Sequence, residues 1–240
     1  MSIEVSAARR IATAVTWPLG IAMTSWHYLW RILPVYRSEG EGSVDVDLPP
    51  ALPEDVSPAE LQLPKDGFGP LLHRRYACTI ADSSMSAEEL MRELSANPDR
   101  VAPWQVARFH KTRGEPGRMS PGDEFLVHMP GPWDGPVRAV DVRPDRFRFA
   151  TLAGHLEAGQ IEWRAWDDGR LHFAVESWSR GGDRFSAFLH DRVRMAKEVQ
   201  LYMWTSVVER VPRLAGGRLL DGVHVQTRRV PTRAFEGAAP

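Results

Sequence analysis

The sequence predicts an α+β fold in which a curved antiparallel sheet grips a long C-terminal helix, preceded by an N-terminal apolar segment. Three observations predict it. Runs of period-two apolar alternation recur between His73 and Val175, short turn signals separate them, and one long amphipathic stretch follows from about Asp183 to Val211. The helix stripe and one sheet face both need cover, and a single shared core covers both.

Taken in order, the 240 residues divide into an apolar segment (1–37), an acidic proline-rich linker (38–70), a helix-grip domain (71–212) and a basic tail (213–240). Residues 11–30 carry no formal charge and follow Arg9-Arg10, which suggests a membrane or export element. Pro18 and Gly20 break the middle, however, and Thr13, Thr16, Thr24, Ser25 and His27 dilute the apolar character a span requires. Packing on the domain is the leading reading, a peripheral membrane contact through residues 11–37 is the first alternative, and a span or signal is the last. Residues 38–66 hold five prolines and eight acids against one lysine, a net charge of −7. Like charges repel and proline removes backbone donors, so this stretch is expected as a linker or wrapping arm with little regular structure, cut early by proteases.

His73 to Ile80 is expected as a first strand with Tyr76, Cys78 and Ile80 on one face. Ser86 with Glu89 three residues on forms a capping box, opening a helix through Leu90, Met91 and Leu94 that Asn97-Pro98 stops. A second short helix or turn is expected over Val101–Phe109. Alternating runs then place Phe125 with Val127, Val137 with Ala139 or Val140 and then Val142, Phe147 with Phe149, Ile161 with Trp163, and Phe173 with Val175. Asp167-Asp168-Gly169 marks a hairpin, since glycine takes the positive φ such turns need. In the final helix Phe185, Phe188, Leu189, Val193, Ala196, Val199, Met203, Val207 and Val211 share one stripe, ending at Pro212. Arg192 sits in the centre of that stripe with Arg210 near its end, so Arg192 either snorkels to an acid or meets a ligand's polar head. The tail carries five arginines against Asp221 and Glu236 and is expected to dock back on the domain up to about Val230.

At Thr151-Leu152-Ala153-Gly154-His155-Leu156-Glu157-Ala158-Gly159, with Ile161-Glu162-Trp163 and Ser177-Trp178-Ser179-Arg180 downstream, the chain resembles a family of domains of unknown function. That family is widespread in actinobacteria and plants. The likeness covers about Leu71 to Val211, and Ser25 to Arg31 with Pro34-Val35 looks like a piece that precedes the domain in bacterial members. Where the family usually has Gly-His-Pro-Glu, this chain has Gly154-His155-Leu156-Glu157, a turn without its stiffening proline. The resemblance implies a START-like, birch-pollen-allergen-like helix-grip fold with a cavity between sheet and helix. It implies no established activity.

Composition narrows the function. Thirty Lys and Arg against 31 Asp and Glu leave no basic excess, so nucleic acid is not expected as a partner. Cys78 is the single cysteine, which excludes an internal disulfide and fits a reducing, cytoplasmic compartment. The eight histidines show no HExxH and no paired spacing on a helix, so no metal is expected, and without a phosphate loop no nucleotide cofactor either. His155 and Glu157 lie two residues apart in a loop, where they either do acid-base work or order a tight turn. Arg180 is expected to meet Glu157 across the hairpin, as a salt bridge or as an anion anchor. Trp166 and Trp178, of opposite parity to their strands' apolar residues, are expected to meet the N-terminal segment.

The leading expectation is a binder of a small apolar or amphipathic ligand, with His155, Glu157, Arg180 and Arg192 as candidate contacts. A membrane-surface or protein interaction module with a filled core, and an enzyme centred on His155 and Glu157, are the alternatives.

Overall fold

The computed structural model describes residues 34–104, 107–129, 134–182 and 194–233. In chain order it comprises β1 (Val35–Glu41), β2 (Phe68–Ala81), α1 (Ala87–Ala96), β3 (Arg108–Arg113), β4 (Glu124–His128), β5 (Asp134–Arg143), β6 (Arg146–Thr151), β7 (Glu157–Asp167), β8 (Leu171–Gly181), α2 (Arg194–Leu214), β9 (Arg218–Leu219) and β10 (Val223–Val230). The ten strands form one sheet ordered β1-β10-β2-β8-β7-β6-β5-β4-β3, with β9 paired to β2. Every pairing is antiparallel except β1 with β10. Helix α2 lies against β2, β8 and β10, giving the predicted helix-grip arrangement.

Local chemistry accounts for most elements. Ser86 accepts from the Glu89 amide while Glu89 accepts from the Ser86 amide, closing the capping box of α1. Gly169 turns the β7–β8 hairpin at φ 100°. Alternation sends Tyr76, Cys78, Ile80, Phe147, Phe149, Trp163, Ala165, Phe173 and Val175 into a core closed by Met203, Val207, Val208 and Val211 of α2. Pro212 lies inside the last turn of α2, which runs on to Leu214. A proline cannot donate to the carbonyl four residues earlier, and here that carbonyl, of Val208, accepts from the Cys78 thiol at 3.7 Å.

Several expectations need correction. Of the helix or turn expected over Val101–Phe109, the described residues hold turns at Val101 and Trp104, after a 3-10 turn at Pro98–Arg100, and then edge strand β3, so Phe109 is a strand residue. The acidic stretch 38–70 supplies most of β1 and the start of β2, and between them it packs on the outer face. Val44 and Leu48 meet Leu71, Trp178 and Val230, while Leu52, Val56 and Leu63 flank Leu61, Val140 and Ala150. Trp178 is therefore covered by this arm. Trp166 stacks on His172, with the guanidinium groups of Arg75 and Arg164 over its ring, and the segment it was expected to meet lies outside the described residues. Residues 1–33 of the apolar segment lie outside the described residues. Among those described, no helix is long and apolar enough to cross a membrane.

Candidate functional site

The inner face of the sheet changes character along its strands. In β8 the inward residues run Leu171, Phe173, Val175, Ser177, Ser179, and in β2 they run Ile80, Cys78, Tyr76, Arg74. Where the apolar run gives way to hydroxyls and a guanidinium, sheet and helix part around a cavity of about 80 Å³. Its apolar wall comes from Phe109, Phe149, Trp163, Ile161, Met129, Met203 and Trp204; its polar wall comes from Thr151, His155, Glu157, Ser177, Ser179 and Gln200. The aromatic rings are ordered by edge contacts, Trp163 meeting Phe109 at 6.0 Å and Trp204 at 5.9 Å. Trp163 is fully buried, yet its indole Nε1 has no hydrogen-bond partner among the described residues. An unpaired buried N–H is costly, so a native protein that keeps one in a residue beside a cavity calls for a physical reason.

The turn from β6 to β7 builds the polar end. Gly154 takes φ 94°, and the His155 amide donates to the Leu152 carbonyl. The Glu157 amide donates to His155 Nδ1 at 2.9 Å, and the Glu157 carbonyl lies 3.1 Å from the same nitrogen, so the ring is held against the Glu157 backbone. Nε2 lies against Gly135 of β5, where a side chain of any size would collide with it. Gln62 of the arm stitches the same turn from outside: its Nε2 donates to the carbonyls of His155 and Glu157, and its Oε1 accepts from Gly154 N–H. Thr151 Oγ1 donates to the Gln62 carbonyl at 2.7 Å.

Of the four residues singled out from sequence, the structure brings two together. His155 and Glu157 both line the cavity. Glu157 faces inward, with Arg74 Nη1 3.9 Å from its Oε1, and Arg74 in turn donates to Gln200 Oε1 at 2.6 Å. Arg180 is placed differently from expectation. It pairs in register with Ala158, so it belongs to the outer face, and its guanidinium donates to the carbonyls of Gly69 and Pro64. Arg192 lies outside the described residues.

Sequence reasoning overlooked Arg74, Gln62, Thr151, Gln200 and the pair Ser177 and Ser179. The serines carried a signal, because they continue the parity of Phe173 and Val175 with hydroxyls in place of apolar groups. Gln62 carried none, since nothing local in the arm records which turn it will meet. Among the described residues no cluster of three or more His, Cys, Asp or Glu side chains is placed to hold a metal ion.

A family model described as a domain of unknown function (DUF1990) matches residues 88–209. No curated protein sequence matches the chain. Among solved structures, similarity is found to the di-domain aromatase/cyclase StfQ of the steffimycin biosynthetic pathway, at 12% identity over 64% of this chain with TM-score 0.45. The chain spans about half of that protein, 52% of its length. The major latex-like protein 151 of Panax ginseng is similar at 13% identity, covering 60% of this chain and 98% of the other with TM-score 0.42. A protein from Thermobifida fusca is similar at 15% identity, covering 60% and 94% with TM-score 0.41.

Proposed function

The chain belongs to the DUF1990 family of domains of unknown function, and we propose that it binds a small amphipathic molecule in the cavity between the inner sheet face and α2. The observation that carries this reading is the aromatic-lined cavity with a polar end, beside which Trp163 keeps a buried indole N–H with no partner among the described residues. A ligand with an apolar ring and a hydrogen-bond acceptor satisfies both features. Glu157 and His155, with the hydroxyls of Thr151, Ser177 and Ser179, receive its polar end. Both sites are preset: His155 by the bond from the Glu157 amide, Glu157 by the nearby Arg74. Binding sites for drug-sized ligands typically run ~300–1,000 Å³, so about 80 Å³ takes a small ligand or one end of a larger one. Met129 and Met203 are the adaptable walls, because an unbranched thioether changes rotamer at little cost.

Native mass spectrometry of the purified full-length chain tests the reading. A small molecule retained on the wild type and missing from Ser177→Leu, whose added side chain fills the cavity, is the expected result. A mass that matches the bare chain in both, or a retained molecule that Ser177→Leu leaves in place, contradicts it.

A further inference from the structure

Residues 42–66 run from β1 to β2 across the outer face of the sheet and are tied down at two places. At the first, Asp47 takes one nitrogen of the His73 ring while Glu176 takes the other, and the ring stacks on Trp178. At the second, Gln62 is bonded through its main chain as well as its side chain. Its N–H donates to the Thr151 carbonyl at 2.7 Å, and its carbonyl accepts from Gly159 N–H at 2.9 Å and from Thr151 Oγ1. Its side chain fills a slot that exists because residue 182 is glycine, where a Cβ would collide with Gln62 Nε2. Thr151, His155, Glu157 and Gly159, all held by Gln62, line the inner cavity. One segment thus grips the outer face at His73 and backs the cavity's polar wall at Gln62.

Between the two ties the hold is finely balanced. Arg148 and Gln160 donate to the carbonyls of Ala51 and Pro50. Yet Arg148 Nε, Gln160 Oε1 and Trp178 Nε1 are buried with no hydrogen-bond partner among the described residues, and such atoms oppose the covering of this face. Glu60, two residues before Gln62, adds strain: its φ of 71° lies in the left-handed region, which a residue with a side chain adopts at a cost. Its neighbours keep it there. Arg138 donates to its carboxylate at 2.7 Å, its carbonyl accepts from Ala153 N–H at 3.3 Å, and Leu61 bridges to Leu152.

We propose that residues 42–63 act as a strap: docked at His73 it holds the cavity's polar wall in shape, and released it lets Glu60 relax and draws Gln62 off the turn. Pro49, Pro50, Pro53 and Pro58 lie between the ties, and their fixed φ angles limit how much of a movement the intervening chain absorbs. The consequence for a ligand rests on the cavity being the binding site proposed above. Occupancy and docking then favour each other, because a ligand that needs the ordered wall binds the docked state better.

Hydrogen–deuterium exchange of the full-length protein, read by mass spectrometry, tests the strap without any ligand. Asp47→Ala cuts the first tie from the arm's side and leaves the contact between His73 and Glu176 in place. Exchange over residues 42–60 should speed up. Exchange over residues 151–161, which include the Gly154 and Gly159 amides bonded to Gln62, should rise about tenfold or more while α1 stays as in wild type. Asp47→Asn, which keeps an acceptor for the Ser43 amide, should move both segments the same way by less. A rise over 42–60 without one over 151–161 overturns the coupling, and so does an arm that neither variant loosens. A rise of equal size in α1 makes the chain one cooperative unit and overturns it too. Wild type that binds cyclopentanone, a small ring with one carbonyl acceptor, should exchange more slowly over 42–60, and binding without that slowing also overturns the coupling. If cyclopentanone does not bind, the cavity reading fails by itself, and the ligand-free exchange still decides the strap.

Discussion

His73 Nδ1 stands 2.7 Å from Asp47 Oδ1, and through this contact the acidic arm is fastened to the sheet. The other ring nitrogen lies 2.6 Å from Glu176 Oε1, and the ring stacks on Trp178 at 5.1 Å. Burial opposes a charge on the imidazole, but the bonds to Glu176 and Asp47 outweigh it and raise its pKa above the ordinary 6.5. Burial likewise works against Asp47 and Glu176, and their bonds to His73 outweigh it, holding both below their ordinary values. The imidazole's contribution is fully present below pH 6.5 and is lost as pH rises through the higher folded value. The carboxylates' contribution is present above their unfolded values of ~4 and is lost as pH falls through the lower folded ones. Protection of residues 42–60 from limited proteolysis should therefore peak at roughly pH 5–6 and decline toward pH 9. His73→Ala should expose the arm and flatten that profile. A wild-type profile that does not change with pH would sink this assignment.

Gln62 holds the candidate site's turn through three side-chain bonds. Gln62→Ala should lower unfolding stability by about 1–3 kcal/mol in a urea titration, because it strands two carbonyls and an amide that the arm now satisfies. Gln62→Glu keeps an acceptor for Gly154 but sets a carboxylate oxygen against the His155 and Glu157 carbonyls, so its loss should equal or exceed that of Gln62→Ala.

Cys78 should be inert in the folded protein. Burial pushes its thiol up to about 12, and the S–H is engaged by the Val208 carbonyl that Pro212 leaves free. Labelling by a disulfide reagent at pH 8 should follow global unfolding in urea. Rapid labelling without denaturant would show that α2 opens locally at Pro212.

Met203 is 5% exposed beneath α2 and lines the cavity. Met203→Asp should cost about 3 kcal/mol or more, since it buries an unpaired carboxylate. An unchanged melting curve would contradict the packing of α2 on the sheet.

How much of this was legible depended on whether the signal was local. Ser86 with Glu89 announced α1, Gly169 announced the β7–β8 turn, and period-two alternation placed Trp163, Phe173 and Val175 inside. Met203, Val207 and Val211 gave the buried stripe of α2 from spacing alone. The pairing of β1 with β10 was not legible, because its partners, Val35 and Val223 among them, come from opposite ends of the chain and neither strand carries a turn signal toward the other. Arg180 shows how narrowly the site could have been read correctly. The hairpin pairs Asp167 with Leu171; counting ten residues outward on each strand sets Glu157 opposite Gly181 and leaves Arg180 opposite Ala158. A slip of one residue reverses the face, and that slip separates Arg180 from Glu157. Arg74 went unseen for the opposite reason: a lone arginine in an apolar strand gives no hint that it will meet Glu157 and Gln200 from two other elements.

The central claim is a ligand chamber beside Trp163, between the sheet and α2, and the Trp163 indole resonance in a proton–nitrogen NMR spectrum reports on that wall. The signal is assigned by its loss in Trp163→Phe and followed as cyclopentanone, a small ring with one carbonyl acceptor, is added. A downfield shift of the Trp163 signal that saturates is the expected result, with the 70% exposed Trp104 as an unmoved control. Indole signals that stay in place, or that all drift together without saturating, would contradict a ligand chamber between the sheet and α2.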